Sequence, residues 1–214
     1  MKVLVLASQK GGVGKTTLTA HLAVEAERSG MGSVALIDTD PQMGLTGWWK
    51  VREAESIPMI SVLPAGLGAT LKRLQSSGIA LVVIDTPPAI TASIRDTVRH
   101  ADLVVIPAKP SPHDLRAVGA TVDIVEGERR AMVFVVNQAT SRARITGEAA
   151  ISLSQHGVVA PTTIHHRVDF ATSMINGQVS VELDPKSRSA AEVTELWTYV
   201  SSRMERNDRL ATAS

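Results

Sequence analysis

The chain contains no cysteine, and only 3% of its residues are aromatic. The first absence excludes disulfides, thiolate metal sites and cysteine-ligated iron–sulfur clusters. The second means that Val, Ile, Leu, Ala and Met must build the core. No run of about 18 apolar residues occurs, so we expect no membrane-spanning helix. The net charge is only +1, so any contact with nucleic acid would need a local basic face.

The length and composition are those of one globular domain. A chain of 214 residues, 44% of them hydrophobic, can bury a sizeable core. We predict a single domain over residues 1–207 and a disordered tail over residues 208–214. The apolar run that follows Met1 is too short for a signal peptide, so we expect a cytoplasmic protein.

Short apolar runs alternate with helical patterns along the chain. The runs lack polar alternation, which is typical of strands covered on both faces. The predicted strands are residues 3–6, 34–37, 60–63, 81–84, 103–106 and 132–136. The predicted helices are residues 17–29, 65–76, 91–100, 114–126, 147–155, 168–175 and 189–206. This alternation predicts a three-layer α/β fold, with a doubly wound, mostly parallel sheet flanked by helices.

The sequence KGGVGKTT at residues 10–17 follows the first predicted strand and opens the first predicted helix. Glycines let a backbone turn tightly around an anion, and the helix N-terminus adds unpaired N–H donors. In such a phosphate-binding loop, Lys15 reaches the β- and γ-phosphates of a nucleotide, and the Thr16 hydroxyl binds Mg²⁺. The predicted nucleotide-binding residues of the loop are Gly11, Gly12, Val13, Gly14, Lys15, Thr16 and Thr17.

Carboxylates follow two other predicted strands. Asp38 and Asp40 come after the second strand, and Asp85 ends the fourth in the pattern of four apolar residues and an acid. Neighbouring acids repel each other unless a cation neutralises them, and Mg²⁺ prefers oxygen ligands. We therefore predict a magnesium site formed by Thr16, Asp38, Asp40 and Asp85. The alternative for DTDP at residues 38–41 is a simple strand-ending turn.

Asn137 follows the sixth predicted strand. Its amide carries a donor and an acceptor, which suits the edge of an adenine base. A turn-forming asparagine is the alternative reading from the residues alone.

Three motifs, KGGVGKTT, DTDPQ and DTPP, resemble those of the ParA/MinD family of deviant Walker A ATPases. The resemblance implies that Lys10 reaches across a dimer interface to the nucleotide of the other subunit, rather than being a solvated loop lysine. It implies that Asp40 positions the attacking water and that Asp38 supports the metal region. It also favours a nucleotide role for Asn137 and places Pro161 beside the base. The absence of cysteine argues against the nitrogenase iron-protein branch.

The chain is most similar to the short ParA-type partition ATPases, since no helix-turn-helix domain precedes the phosphate loop. The resemblance implies weak, magnesium-dependent hydrolysis of ATP and an ATP-bound homodimer on non-specific DNA, and therefore a nucleoid-associated protein. It implies a ParB-type or small centromere-binding partner, or another cargo adaptor. Phosphate contacts need only positive charge. The candidate DNA contacts are Arg142, Arg144, Arg167, Lys186, Arg188 and Arg203, with Arg142 and Arg144 expected in a loop.

Three alternatives remain. A MinD-like ATPase would use a C-terminal amphipathic helix on a membrane, and residues 189–206 carry an apolar stripe that includes Leu196 and Trp197. That helix also carries several glutamates, so packing on the sheet is favoured and no stable membrane association is expected. A metabolic synthase with a related phosphate loop would lack the early Lys10. A nucleotide-binding module without turnover is the third alternative.

Overall fold

The computed structural model describes residues 1–54, 56–88 and 92–212. Its strands are β1 Lys2–Leu6, β2 Val34–Asp38, β3 Met59–Ser61, β4 Leu81–Asp85, β5 Leu103–Ala108 and β6 Met132–Val136. Its helices are α1 Lys15–Arg28, α2 Gly44–Lys50, α3 Pro64–Ser76, α4 Ala92–Val98, α5 Pro112–Gly127, α6 Arg144–Ser154, α7 Val168–Ile175, α8 Ser180–Leu183 and α9 Arg188–Thr212. Residue 91 of a predicted helix and residues 213 and 214 of the predicted tail lie outside the described residues.

The strands of the described residues form one six-stranded sheet in the order β3-β2-β4-β1-β5-β6, and every neighbouring pair is parallel. Successive side chains of a strand point to opposite faces. In β1, Leu4 and Leu6 accordingly join one apolar cluster, while Val3 and Val5 join the other. Helices therefore cover both faces of the sheet, and the predicted three-layer, doubly wound fold is confirmed.

Several element boundaries differ from the predicted ones. Strand β3 ends at Ser61 rather than at residue 63, because Pro64 occupies the first turn of α3, where its fixed φ favours a helix. Helices α2 and α8, with seven and four residues, are too short to show a clear hydrophobic period. Helix α6 begins at Arg144. The prediction that Arg144 lies in a loop is therefore wrong.

The C-terminal helix α9 packs on the body of the domain. Its apolar stripe, which includes Leu196 and Trp197, is buried in the cluster that also contains residues of α1. Thr194 Oγ1 donates a hydrogen bond to Glu25 of α1 over 2.8 Å. The stripe is therefore a core surface, as the sequence favours. Helix α9 continues to Thr212 and so overlaps the segment 208–214 for which the sequence predicts a tail. None of the described helices is both long and apolar enough to cross a bilayer.

Candidate nucleotide and magnesium site

The phosphate loop connects β1 to α1 at the carboxyl edge of the sheet. Gly12 and Gly14 have φ values of 72° and 89°, a left-handed backbone region that side chains rarely adopt. A Cβ on Gly14 would lie 2.5 Å from Asn137 Nδ2, so only glycine fits there. No side chain caps the start of α1. The first N–H groups of that helix are therefore available to an anion.

Lys15 is buried, with only 6% of its surface exposed. Its Nζ donates a hydrogen bond to the carbonyl oxygen of Lys10 over 3.4 Å. Burial lowers the pKa of Lys15, and the negative charges of Asp85 and Asp40 oppose this shift. The ammonium group thus lies buried within the loop, where the phosphates of a nucleotide would need a counter-charge.

Asp85 and Thr16 form the centre of the predicted metal site. Thr16 Oγ1 donates a hydrogen bond to Asp85 Oδ2 over 2.6 Å. Burial raises the pKa of Asp85 to about 7, and Asp38 and Asp40 add to the rise, whereas the Thr16 bond and Lys15 oppose it. Three carboxylates therefore share a site that is short of positive charge.

Asp38 and Asp40 lie at the same edge but differ in their surroundings. Strand β2 ends at Asp38, so Asp40 lies beyond the strand and strand periodicity does not decide its direction. The Asp38 carboxylate is buried and accepts hydrogen bonds from the Asp40 N–H and from the N–H and hydroxyl of Thr46, over 2.9–3.0 Å. Asp38 therefore holds the segment that carries Asp40. Asp40 is half-buried and lines the cavity at the phosphate loop.

The residues present fit a magnesium ion. Thr16, Asp38, Asp40 and Asp85 supply oxygen donors, which Mg²⁺ prefers. Among the residues that the structure describes, no three His, Cys, Asp or Glu side chains are placed to hold a metal by themselves. In proteins, Mg²⁺ is commonly held by one or two protein oxygens together with nucleotide phosphates and water. A cavity of about 290 Å³, lined by the loop, Asp40, Pro88 and Gln138, offers the space.

A second cavity, of about 280 Å³, shares Gly14, Thr17 and Gln138 with the first. Its lining is largely apolar, with Leu18, Ile164, Phe170 and Met174 among the contributors. Such a lining suits the flat face of a nucleotide base. This volume is called the base cavity below.

Of the two residues predicted to contact the base, Asn137 lines the base cavity and Pro161 does not. Asn137 lines the base cavity, but its Nδ2 donates a hydrogen bond to the carbonyl oxygen of Val13 over 2.6 Å. The Asn137 amide therefore stabilises the phosphate loop through this bond to its backbone. Pro161 is exposed and is absent from the lining of the base cavity. The structure thus does not bring Pro161 to the base.

Three residues that lie at the site were not predicted from the sequence. Gln138, at a positive φ of 54°, donates a hydrogen bond through Nε2 to the Gly12 carbonyl oxygen over 3.1 Å. Lys109 places its Nζ 4.0 Å from where a Cβ of Gly12 would lie. His165 lines the base cavity. Two of them could have been found from their position at strand ends, because Lys109 directly follows β5 and Gln138 follows Asn137 after β6.

Lys10 stands at the start of the loop and is exposed. Its backbone N–H donates a hydrogen bond to Ser8 Oγ over 3.3 Å, and its carbonyl oxygen accepts the bond from Lys15. The backbone of Lys10 thus belongs to the phosphate site, while its side chain faces away from the core.

The predicted DNA contacts fall into two groups. Arg142, Lys186 and Arg188 are exposed, and none of them has an ion-pair partner in the described part of the chain. The other three are more constrained. Arg144 forms an ion pair with Glu148 over 2.8 Å, Arg167 pairs with Glu192 and lines the base cavity, and Arg203 is half-buried.

Phosphates, a metal ion and a base would thus each have a place at one edge of a parallel sheet, which defines the class of P-loop nucleotide-binding proteins. Residues 4–181 match the family model described as "CobQ/CobB/MinD/ParA nucleotide binding domain". The chain therefore belongs to this family, and the resemblance to ParA and MinD ATPases that its motifs indicate is confirmed.

Individual relatives are similar to the chain in sequence, and a solved structure is similar to it in fold. The chain is 30% identical over 199 residues to "Maintenance of carboxysome distribution protein A" of Halothiobacillus neapolitanus, covering 88% of this chain and 91% of that protein. It is 25% identical over 240 residues to the "Chromosome-partitioning ATPase Soj" of Thermus thermophilus, covering 94% and 96%. The structure of the cell division ATPase MinD of Pyrococcus furiosus superposes with a TM-score of 0.81 at 18% identity, covering 94% and 98%.

Proposed function

We propose that this chain is a positioning ATPase whose ATP-bound form is a dimer on DNA. The observation that carries the proposal is the arrangement of the two loop lysines. Lys15 is buried and its Nζ donates a hydrogen bond within the loop, whereas Lys10 is exposed at the start of the same loop. A subunit therefore has one lysine for its own nucleotide and a second lysine that a facing subunit could use.

Hydrolysis would rest on positioning and charge. Phosphoryl transfer needs a Mg²⁺ and donors that neutralise the developing charge. Lys15, Thr16 and Asp85 would supply these functions, and Asp40, which lines the phosphate cavity, would orient the attacking water. Among the described residues that line this cavity there is no histidine to act as a general base. The intrinsic rate should therefore be slow, which lets the ATP-bound dimer persist until a partner stimulates hydrolysis.

DNA would be held without sequence preference. Arg142, Lys186 and Arg188 are the exposed members of the predicted set that have no ion-pair partner among the described residues, and a dimer doubles their number. Contacts of this kind add through phosphate neutralisation, so binding should weaken as salt rises. The names of the relatives include carboxysome distribution and chromosome partitioning. We propose that the cargo is bound through an adaptor protein of the ParB type or an equivalent cargo adaptor.

Light scattering and DNA co-sedimentation with ATP, ADP or no nucleotide test the proposal. We expect a dimer and DNA binding with Mg²⁺ and ATP only, and a loss of both in Lys15→Ala. Charge reversal of Arg142 and Lys186 together should weaken DNA binding and leave the dimer intact, whereas charge reversal of Lys72, which is exposed on α3, serves as the control. DNA binding that is equal with and without nucleotide would contradict the proposal, as would binding to anionic vesicles in place of DNA.

A further inference from the structure

Glu192 of α9 fastens one wall of the base cavity. Its carboxylate accepts hydrogen bonds from the backbone N–H of His165 over 3.0 Å and from His165 Nδ1 over 2.8 Å. It also accepts two from Arg167, through Nε over 3.2 Å and through Nη2 over 2.5 Å. Both partners line the base cavity, whereas Glu192 does not. Four bonds thus join one helical carboxylate to two neighbouring wall residues.

The wall itself has little other support. Residues 165–167 belong to neither a helix nor a named strand. Their backbone is linked to the segment after β6 by the bond from the His166 N–H to the Ala139 carbonyl oxygen, over 2.9 Å. No other hydrogen bond is found for the side chains of His165 and Arg167 within the described residues. Without Glu192, these two side chains would have to be ordered when a ligand binds.

The carboxylate is held in its ionised form. The Glu192 side chain is only 12% exposed. Burial by itself would raise its pKa, but the hydrogen bonds from Arg167 and His165 outweigh burial and hold the pKa of Glu192 below its usual range. Hydrogen bonds between charged groups are roughly twice as strong as neutral ones. The ionised Glu192 carboxylate therefore holds His165 and Arg167 through strong hydrogen bonds.

Glu192 also lies on a helix that is tied to the phosphate half of the site. Two residues further on, Thr194 bonds to Glu25 of α1, and Trp197 Nε1 donates a hydrogen bond to Ser29 Oγ over 2.6 Å at the end of α1. Helix α1 begins in the phosphate loop. Helix α9 thus fixes the base wall relative to the loop that would hold the phosphates.

We propose that Glu192 is a positioning residue for the base of the bound nucleotide. It acts through His165 and Arg167 and does not itself touch the ligand. The inference rests on the proposed nucleotide site, and it assigns Arg167 to that site rather than to a DNA surface.

Calorimetric titration with ADP and with inorganic tripolyphosphate separates the base half from the phosphate half. We expect Glu192→Ala to weaken ADP binding about tenfold, because two side chains and their loop must then be ordered on binding. Tripolyphosphate affinity should not change. Glu195→Ala, an exposed glutamate on the same helix, should match the unmodified protein for both ligands.

Variants of Arg167, alone and combined with Glu192→Ala, test whether the two residues act together. Arg167→Ala should weaken ADP binding to a similar degree, and the double variant should lose no more than the larger single loss. If Glu192→Ala does not fold, Glu192→Gln and Arg167→Ala provide the same comparison. Unchanged ADP affinity, or equal losses for ADP and tripolyphosphate, would overturn the role of Glu192. Retained ADP binding in Lys15→Ala would instead overturn the nucleotide site as a whole.

Discussion

The hydroxyl of Thr16 donates a 2.6 Å hydrogen bond to Oδ2 of Asp85, and this bond joins the first turn of α1 to the end of β4. The two strands concerned, β1 and β4, are neighbours in the sheet, with Leu6 in register with Asp85. The phosphate loop and the acidic strand end are therefore fixed by the sheet itself. The pair marks where a Mg²⁺ would lie between the protein and the nucleotide.

Asp85→Asn should remove most of the magnesium dependence of ATP binding. The buried carboxylate is the charge that the cation would neutralise, and amide oxygen is a weaker partner. We expect ATP affinity in Mg²⁺ to fall about tenfold or more. Calorimetric titration with ATP, in the presence and absence of Mg²⁺, measures this change in affinity. Asp123→Asn, on an exposed position of α5, is the control. A variant that keeps the full magnesium effect would argue against this metal site.

Asp40→Ala should slow hydrolysis and preserve nucleotide affinity. Asp40 lines the phosphate cavity, and its carboxylate accepts a hydrogen bond from the nearby Gln42 N–H. The segment after β2 is held mainly by Asp38 and its bonds to Thr46. We expect turnover to drop about 100-fold, the size of effect typical of a lost acid–base or water-orienting group. ATP-bound dimers should then accumulate. Phosphate release and light scattering on the same sample measure both, and undiminished turnover would remove Asp40 from the mechanism.

His21 should make the protein less stable in acid. Burial lowers the pKa of His21 to about 4 from its ordinary 6.5. The unfolded chain therefore binds a proton at a higher pH than the folded one does, so this contribution to stability falls as pH drops from 6.5 towards 4. The whole contribution of this shift to the free energy of unfolding is about 3 kcal/mol. Urea unfolding across this window should show a shallower pH slope for His21→Gln.

The exposed His156 provides the matched control for that experiment. His156→Gln should keep the slope of the unmodified protein. An identical slope in all three proteins would mean that His21 is not held neutral by burial.

Gly177→Ala should destabilise the fold. Gly177 has a φ of 68°, and a Cβ there would lie 2.3 Å from the Cα of Arg52. Left-handed strain and a backbone clash together should cost about 2 kcal/mol or more. Gly119→Ala, inside α5 with open space around the added methyl, should be neutral or slightly stabilising. Thermal unfolding compares the two, and equal melting temperatures would show that the loop adapts without cost.

Local patterns predicted most of the fold and indicated which residues would form the phosphate half of the site. The Val- and Ile-rich strands could be recognised because burial on both faces removes polar alternation, and Lys15 and Asp85 follow from strand–loop order. The base wall could not be predicted in this way. Arg167 and Glu192 are far apart in sequence and meet only through the packing of α9. The exposure of Pro161 and the start of α6 at Arg144 depend on the same tertiary contacts, which local patterns do not carry.

The most direct measurement is the ATPase rate of an equimolar mixture of Lys10→Ala and Asp40→Ala subunits. Each variant alone should be nearly inactive. If Lys10 serves the nucleotide of the facing subunit, a mixed dimer has one complete site, with Asp40 from one chain and Lys10 from the other. Half of the dimers are mixed and each has one working site of two, so activity should recover to about a quarter of the unmodified rate. A mixture as inactive as its separate components would contradict a composite site.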